Sequence, residues 1–234
     1  MKKLSTLFGC LLIALTATLV DAQTSHDSFR IGAKTIRIPS PAGFVNGHPK
    51  IPQVAAQVKA FEEPDGRTLT MHIPQSIARK VIAGERVESL PFYAKIAVNK
   101  EMDNIDITPA MLGEYANLLE RDFEKLVDEE LPKTIVNGNK SLTEYLGKNM
   151  DAVISRPLNL GTIDRRPDVY SVMFVTVVQH PGKTMPMISV MSHVVVQKRL
   201  LYVNIYKEFS TDKDIETLRD FARKWADDIL AANN

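Results

Sequence analysis

The chain has 234 residues, of which 44% are hydrophobic, and its 29 basic and 28 acidic side chains leave a formal net charge of +1. A charge this close to zero provides no basic surface for sequence-independent binding to nucleic acids. The hydrophobic fraction is too high for a disordered chain, and a single cysteine cannot build a disulfide framework. These figures predict a folded protein that does not bind nucleic acid.

The N-terminus has the three parts of a secretory signal peptide. Two lysines follow the first methionine, the stretch Leu7–Val20 carries no charge, and Val20-Asp21-Ala22 provides a cleavage site. The uncharged stretch has 14 residues, whereas a membrane-spanning helix needs about 20. We therefore predict a signal peptide over residues 1–22, cleavage near Ala22, and periplasmic or secreted localisation. A buried N-terminal helix is the alternative interpretation.

The only cysteine of the chain lies inside this segment. Leu7-Phe8-Gly9-Cys10 resembles a lipoprotein cleavage box, but most of the apolar stretch follows Cys10, whereas that cleavage needs it upstream. Cleavage near Ala22 leaves a mature chain of 212 residues with no thiol and no net charge. Cysteine nucleophiles and thiolate metal ligands are then excluded, and the mature chain has no further stretch of membrane-spanning length. We predict one α+β domain over residues 23–234.

Short elements are predicted at the start of this domain, because six prolines lie between residues 39 and 74. Phe29–Ile31 and Thr35–Ile38 alternate apolar and polar residues on either side of a Gly-Ala pair, which predicts a small hairpin. A short helix is predicted over Gln53–Phe61, and strands are predicted over Thr68–Ile73 and Phe92–Val98.

The first long helix is predicted to begin at Thr108, which can cap it, with Pro109 at the first helical position. Apolar side chains then recur at helical spacing: Leu112, Tyr115, Leu119, Phe123 and Leu126. Pro132 is predicted to end the helix, which places Asp128-Glu129-Glu130 in its last turn. Acidic side chains at this end interact unfavourably with the helix dipole, at a cost of about 0.3–1 kcal/mol each. We therefore expect them either to be solvated or to bind a cationic partner. Residues 137–151 are predicted to be a long connection.

Three strands and a final helix are predicted for the C-terminal third, where β-branched and aromatic residues dominate. The strands are predicted over Val169–Gln179, Met187–Val196 and Leu200–Glu208. Ser210 or Thr211 is expected to cap the helix, whose apolar stripe contains Ile215, Leu218, Ala222, Trp225 and Ile229. The charged residues 164–168 are predicted to form a loop. Its two arginines are expected to pair locally or to be solvated, although they also suit a carboxylate or phosphate.

A two-residue turn between the last two strands would divide their side chains into two different faces. One face is apolar and is predicted to be core beneath the C-terminal helix: Ile188, Val190, Val194, Val196, Leu201, Val203 and Ile205. The other, which we name the mixed face, carries Met187, Ser189, Met191 and His193 beside Tyr202, Asn204 and Tyr206. Apolar bodies with polar tips are typical of a wall under another element, a ligand groove or a partner surface. Candidate ligand- or partner-binding residues are therefore Met187, Met191, His193, Tyr202, Asn204 and Tyr206.

A copper site is the more specific alternative for the mixed face, because thioethers and imidazole are suitable Cu(I) ligands. Met185, Met187, Met191 and His193 fall on alternate positions of one strand. Residues two apart in a strand are separated by about 6.6 Å, so a single ion cannot collect three of them. Methionine also commonly fills irregular cores. We therefore favour packing, and the sequence predicts no metal and no cofactor.

No familiar catalytic or nucleotide-binding motif is present in the sequence. The five histidines have no metal-ligand spacing, and the chain contains no nucleophile elbow, P-loop or dinucleotide fingerprint. Catalytic triads are scattered along a chain, so an enzyme is not excluded. A hydrolase with a dispersed active site remains an alternative.

Two segments carry a recognisable pattern. Ile36-Arg37-Ile38-Pro39 is followed by Gly43-Phe44, and a strand around Leu201–Tyr206 precedes a helix that contains Trp225. Together they resemble the opening and the ending of the PsbP-like α/β/α sandwich superfamily. The resemblance implies an antiparallel sheet between helices and a non-enzymatic accessory or binding module. It implies no site residue, because a shared fold does not carry a function.

The sequence thus predicts an exported α+β protein with a largely antiparallel sheet and amphipathic helices packed on it. Its predicted function is a non-catalytic binding or accessory role in the cell envelope. The predicted partner is a small ligand or an envelope protein. The alternatives are the hydrolase and a structural component of the envelope.

Overall fold

The computed structural model describes residues 26–60, 62, 64–85, 87, 90–146, 153–180 and 182–234. The strands are β1 (His26–Ile31), β2 (Lys34–Pro39), β3 (Phe44–Asn46), β4 (Gly66–Pro74), β5 (Phe92–Asn99), β6 (Val153–Ile154), β7 (Leu158–Arg166), β8 (Val169–His180), β9 (Lys183–Val196) and β10 (Arg199–Glu208). The helices are α1 (Pro52–Ala60), α2 (Gln75–Ile82), α3 (Pro109–Leu146) and α4 (Lys213–Ala231), and a 3-10 turn covers Lys100–Met102. The signal peptide predicted over residues 1–22 lies outside the described residues.

One antiparallel sheet connects eight of the strands. Its order is β3-β4-β5-β10-β9-β8-β6, and β7 pairs with β8 next to β6. The strands β1 and β2 form a separate two-stranded sheet, which we call the β1–β2 hairpin. The predicted α+β class with a largely antiparallel sheet is confirmed.

Helices cover both faces of the large sheet. The helix α4 packs on one face, where Leu218, Ala222, Trp225 and Ile229 join the apolar side of β9 and β10, and the β1–β2 hairpin adds its isoleucines to the same core. On the opposite face, α3 packs over β8 and β9, and α1 and α2 pack over β4. The apolar stripe predicted for the last helix is therefore confirmed. No helix in the described part of the chain is both long and apolar enough to span a membrane.

The predicted hairpin near the start is also confirmed, as are the short helix and the two strands that follow it. Gly32 turns the hairpin at a φ of 55°, and a Cβ there would lie 2.3 Å from the backbone oxygen of Asp103. Only glycine tolerates both that conformation and that approach. Phe61, the predicted last residue of the short helix, lies outside the described residues.

The predicted end of the long helix at Pro132 is wrong, because α3 continues through this proline to Leu146. Pro132 and Asp128 are both exposed, so the carbonyl group that the proline leaves without a donor faces solvent. The connection predicted for residues 137–151 is accordingly helical up to Leu146.

The acidic residues 128–130 consequently lie inside α3 rather than in its last turn. Asp128 pairs with Arg156, Glu129 with Lys125, and Glu130 with Lys133. Neighbouring basic side chains balance these charges, so the argument from the helix dipole no longer applies.

Two further predictions are corrected at element ends. The helix α4 begins after Asp212, and neither Ser210 nor Thr211 caps it; their backbone N–H groups donate instead to Asp214 Oδ2, at 2.8 and 2.9 Å. Residues 164–166 belong to β7 and not to a loop. Two irregularities in the pairing of β7 with β8 hide the period-two pattern of this strand.

Candidate functional site

The turn between β9 and β10 determines which side chains share a face. Val196 pairs with Arg199, so the turn consists of Gln197 and Lys198, with φ angles of 48° and 67°. Positive φ at both central residues is the geometry of a two-residue hairpin turn that matches strand twist. The register that follows pairs His193 with Tyr202 and Met191 with Asn204. The division into two faces is therefore as the sequence predicts.

The apolar face of this hairpin is core. Its seven side chains are at most 2% exposed and lie beneath α4. The mixed face, in contrast, is divided along its length by α3 into a covered part and an open part.

The covered part of the mixed face surrounds His193, which has no exposed surface. Tyr115 of α3 closes over it, with 3.3 Å between the tyrosine hydroxyl oxygen and His193 Nε2 and 4.8 Å between the ring centres. The rings of Tyr202 and Tyr170 lie 5.3 and 6.1 Å from the imidazole. A buried imidazole enclosed by three tyrosines is held in one orientation, away from solvent.

Burial determines the protonation states of this cluster. It lowers the pKa of His193 to about 4, because the charged imidazolium loses hydration. It also raises the pKa of Tyr115 to about 12 and raises the pKa of Tyr202. At neutral pH the imidazole is therefore uncharged and the phenols keep their protons.

The open part of the mixed face begins two residues away, at Met191, which is 37% exposed. Asn204 lies directly opposite Met191 on β10, and both Asn204 and Tyr206 are half-buried. The ring of Tyr206 stacks on that of Tyr93 from β5, with ring centres 4.7 Å apart and an interplanar angle of 19°. A thioether, an amide and a supported aromatic ring are thus accessible side by side. Met187, at the far end, is only 7% exposed.

The copper interpretation depends on whether imidazole and thioethers converge. His193 Nε2 faces the hydroxyl group of Tyr115. The sulfur of Met102 accepts a hydrogen bond from Tyr202 at 3.6 Å. Met191 and His193 are directed into different surroundings, one partly in solvent and one beneath α3. Within the described residues, no group of three His, Cys, Asp or Glu side chains is placed to hold a metal ion.

Residues missed by the sequence analysis complete the covered part. Tyr115 was identifiable only as a member of the apolar stripe of α3, and nothing in that stripe shows which strand it meets. Tyr170 pairs with His193 across β8 and β9. The period of two along β8 assigns Tyr170 to this face, but both faces of β8 are apolar, so no sequence pattern singles it out.

A second buried histidine was not identified as a candidate. His72 of β4 has no exposed surface, and its ring lies 5.1 Å from Trp225 on the opposite face of the sheet. Burial lowers its pKa to about 4. The carboxylate of Asp27 favours its charged form, and the ammonium group of Lys50 opposes it.

The arginines of the charged segment are engaged in ion pairs. Arg165 contacts Glu120 of α3 at 2.7 Å, and Arg166 contacts Asp164 at 2.7 Å and Asp227 of α4 at 2.6 Å. The local pair between Arg166 and Asp164 agrees with the expectation from the sequence. The other two pairs connect β7 to a helix on each face of the sheet.

A cavity of about 180 Å³ opens at the β9–β10 turn. Its walls include Ile107, Asp168, Val195, Lys198 and Leu230. Small-molecule sites typically occupy about 300–1,000 Å³, so this cavity is small for such a ligand.

Comparisons with known proteins identify no family. The chain matches no model of a known protein family, and no curated protein matches it significantly. One similar solved structure is the Ran-binding protein Mog1p of Saccharomyces cerevisiae. The two chains are 9% identical, the alignment covers 90% of this chain and 94% of Mog1p, and the TM-score is 0.34. This similarity is too low to transfer a fold or a partner.

Proposed function

We propose that this chain is an exported, non-catalytic binding or accessory protein of the cell envelope, and that it contacts its partner through the open part of the mixed face. The observation that carries the proposal is the exposure of Met191 beside Asn204 and Tyr206. The seven apolar side chains of this hairpin that face α4 are all buried, whereas these three side chains, on the opposite face, reach solvent from the middle of the sheet.

The chemistry of the open part suits a partner surface. Methionine adapts its shape to different apolar partners, and tyrosine offers a large contact area with a polar tip. The ring of Tyr206 is supported by Tyr93, so little conformational entropy is lost when a partner covers it. The resemblance to the PsbP-like superfamily is a prediction from sequence, and it also favours an accessory role.

His193 gives the hydrolase alternative no support. Its hydrogen-bond partner is the hydroxyl group of Tyr115, and α3 separates it from solvent. A general base must reach the proton that it abstracts, either directly or through one water molecule. We therefore develop the binding proposal alone.

The partner surface can be tested with a photo-reactive amino acid at position 191. A matched control is position 111, because Met111 is a methionine of α3 with similar exposure, 42% against 37% for Met191. In intact cells, irradiation should cross-link a defined species from position 191 and not from position 111. Asn204→Ala, which leaves the core intact, should reduce that cross-link. Equal products from both positions would reject this surface.

The cross-linked species also distinguishes the remaining interpretations. A heterologous protein or a small ligand supports a binding role. A ladder of copies of this chain would instead favour the structural envelope component. Export is tested separately by sequencing the N-terminus of the mature protein, which should begin immediately after Ala22; an intact N-terminus in the cytoplasm would reject the export prediction.

A further inference from the structure

The turn between β9 and β10 carries two residues that its backbone conformation does not favour. Gln197 and Lys198 have φ angles of 48° and 67°. Turns of this kind usually carry Asn-Gly, because asparagine and glycine adopt positive φ at little cost. Here both positions have long polar side chains, and both residues line the cavity of about 180 Å³. Unfavourable backbone conformations concentrate at functional sites, so the composition of this turn favours a role for the cavity.

Side chains of opposite charge line this cavity. Asp168, between β7 and β8, contributes a carboxylate that has no hydrogen bond or ion pair within the described part of the chain. The arginines before it, Arg165 and Arg166, are paired with other carboxylates. Lys198 contributes an ammonium group, which contacts Asp106 Oδ2 at 3.2 Å and has two further N–H groups to donate. One cavity therefore offers both an unpaired carboxylate and a cationic donor.

Five further residues of the lining are apolar. Ile107, Val195 and Val196 are buried, Leu230 of α4 is half-buried, and Pro109 is exposed. A cavity of about 150 Å³ holds a molecule of the size of benzene, so a volume of about 180 Å³ suits a ligand of about six to eight non-hydrogen atoms. The cavity is therefore too small for a nucleotide or a large cofactor, but it suits a short aliphatic molecule.

Hydrogen bonds between different segments of the chain hold the walls of the cavity in place. The backbone N–H of Ile107 donates to the carbonyl group of Lys198 at 2.9 Å. The backbone N–H of Val195 donates to the carbonyl group of Asp168 at 2.8 Å. The side-chain amide of the first turn residue donates to the carbonyl group of Asn233, beyond the end of α4, at 3.4 Å. A ligand would therefore lose little affinity to ordering of the site.

We propose that this cavity binds a small amino acid as its zwitterion, with the ammonium group on Asp168, the carboxylate on Lys198 and the short side chain against the apolar lining. Opposite charges on the two protein side chains match the opposite charges of such a ligand, whereas a ligand with one charge engages only one of them. The site is separate from the open part of the mixed face. Val195 lies four residues beyond Met191 on β9, and the buried His193 lies between them.

The charge requirement can be tested by NMR titration of the intact mature protein with alanine, propionate and ethylammonium. Propionate is alanine without its ammonium group, and ethylammonium is alanine without its carboxylate. Alanine should bind about 10-fold more tightly than either analogue, because it makes both charge-assisted contacts. The backbone signals that shift should belong to residues around the cavity, and phenylalanine, which is too large, should cause no shift there. Equal affinities for alanine and one of its analogues would overturn the proposal.

The ammonium contact is tested by Asp168→Asn, which keeps the size of the side chain and removes its charge. This variant should bind alanine about 10-fold more weakly. Asp220→Asn is the matched control, because Asp220 is an exposed aspartate of α4 whose carboxylate also has no hydrogen bond or ion pair among the described residues. It should bind alanine as tightly as the unmodified protein. Equal affinities in the two variants would overturn the proposal.

A double variant, Gln197→Asn with Lys198→Gly, separates binding from folding. It gives the turn the residues that its positive φ angles favour, so it should unfold at a higher temperature than the unmodified protein. It also removes the ammonium group, so it should bind alanine about 10-fold more weakly. Gln197→Asn alone keeps that group and should retain most of the affinity. Undiminished binding of alanine by the double variant would overturn the proposal.

Discussion

Met191 and His193 are two residues apart on one strand and project from the same face of the sheet, yet their surroundings differ completely. His193 is buried under Tyr115, whereas Met191 is 37% exposed. The strand period assigns both residues to one face, since successive side chains alternate. The path of α3 across that face then decides which of them is core and which is surface. Buried and open parts of a sheet face can therefore alternate within about 7 Å.

Acidification should produce the largest change, because within the mixed face it acts on the covered part, which contains His193, and not on the open part. The pKa of His193 is about 4 in the folded protein, against an ordinary value of about 6.5, so below about pH 6.5 the unfolded chain binds more protons. The stabilisation by neutral His193 is complete above about pH 7 and is lost as the pH falls towards about 4, by about 3 kcal/mol. Urea unfolding between about pH 7 and pH 4.5 measures this loss.

His72 contributes a similar loss, since its pKa is also about 4. The variant His193→Phe should therefore lose the contribution of His193, about 3 kcal/mol, and keep the rest of the pH dependence, whereas Met191→Gln should show all of it. If His193→Phe retained the full pH dependence of the free energy of unfolding, His193 would not be buried and neutral as described.

Removal of the Tyr115 ring, which covers His193, should give the next largest effect on stability. Tyr115→Ala is expected to lower the free energy of unfolding by about 2 kcal/mol, less than for a fully buried aromatic residue because Tyr115 is half-buried. It should also raise the pKa of His193 towards the ordinary histidine value of about 6.5, since water then reaches the imidazole. Chemical denaturation measures the first effect, and NMR titration of the histidine ring protons measures the second.

The control for Tyr115→Ala lies three residues further along the same helix. Leu118 is 43% exposed on the outer side of α3, so Leu118→Ala is expected to change stability by no more than about 0.5 kcal/mol. An unchanged pKa of His193 in Tyr115→Ala would show that α3 does not shield the imidazole.

The sequence was sufficient to predict the elements in which apolar residues recur with a regular period. The alternation in β9 and β10, the turn between them and the stripe of α4 follow from apolar periodicity, and each is confirmed. It was insufficient for β7, where two irregularities interrupt the alternation, and for α3, where Pro132 has the local signature of a helix end. Both elements also make contacts that are distant in sequence, such as Arg165 with Glu120 and Arg156 with Asp128, and no local pattern indicates these contacts.

For the candidate site, the sequence was sufficient to predict which side chains share one face of the sheet, but not which of them are covered. Pairing places Met191, His193, Tyr202, Asn204 and Tyr206 together, and this requires nothing beyond the turn length. Which part of the face is covered depends on the direction in which α3 crosses β8 and β9, and no local pattern encodes that direction. His72 was missed for the same reason, because its contact with Trp225 joins residues far apart in the sequence.

Two methionines of β9, Met187 and Met191, provide the last test of this comparison. The smallest effect on stability is expected at Met191, which lies in the open part of the mixed face. Met187 and Met191 lie on the same face of the same strand, but Met187 is 7% exposed and Met191 is 37% exposed. Replacement by glutamine keeps the length of the side chain and adds a polar amide. Met187→Gln buries that amide and should cost about 1–3 kcal/mol, whereas Met191→Gln leaves it in solvent and should cost less than about 0.5 kcal/mol. Chemical denaturation of both variants measures the difference. Equal destabilisation by the two substitutions would show that Met191 is as buried as Met187, and that the mixed face has no open part there for a partner to bind.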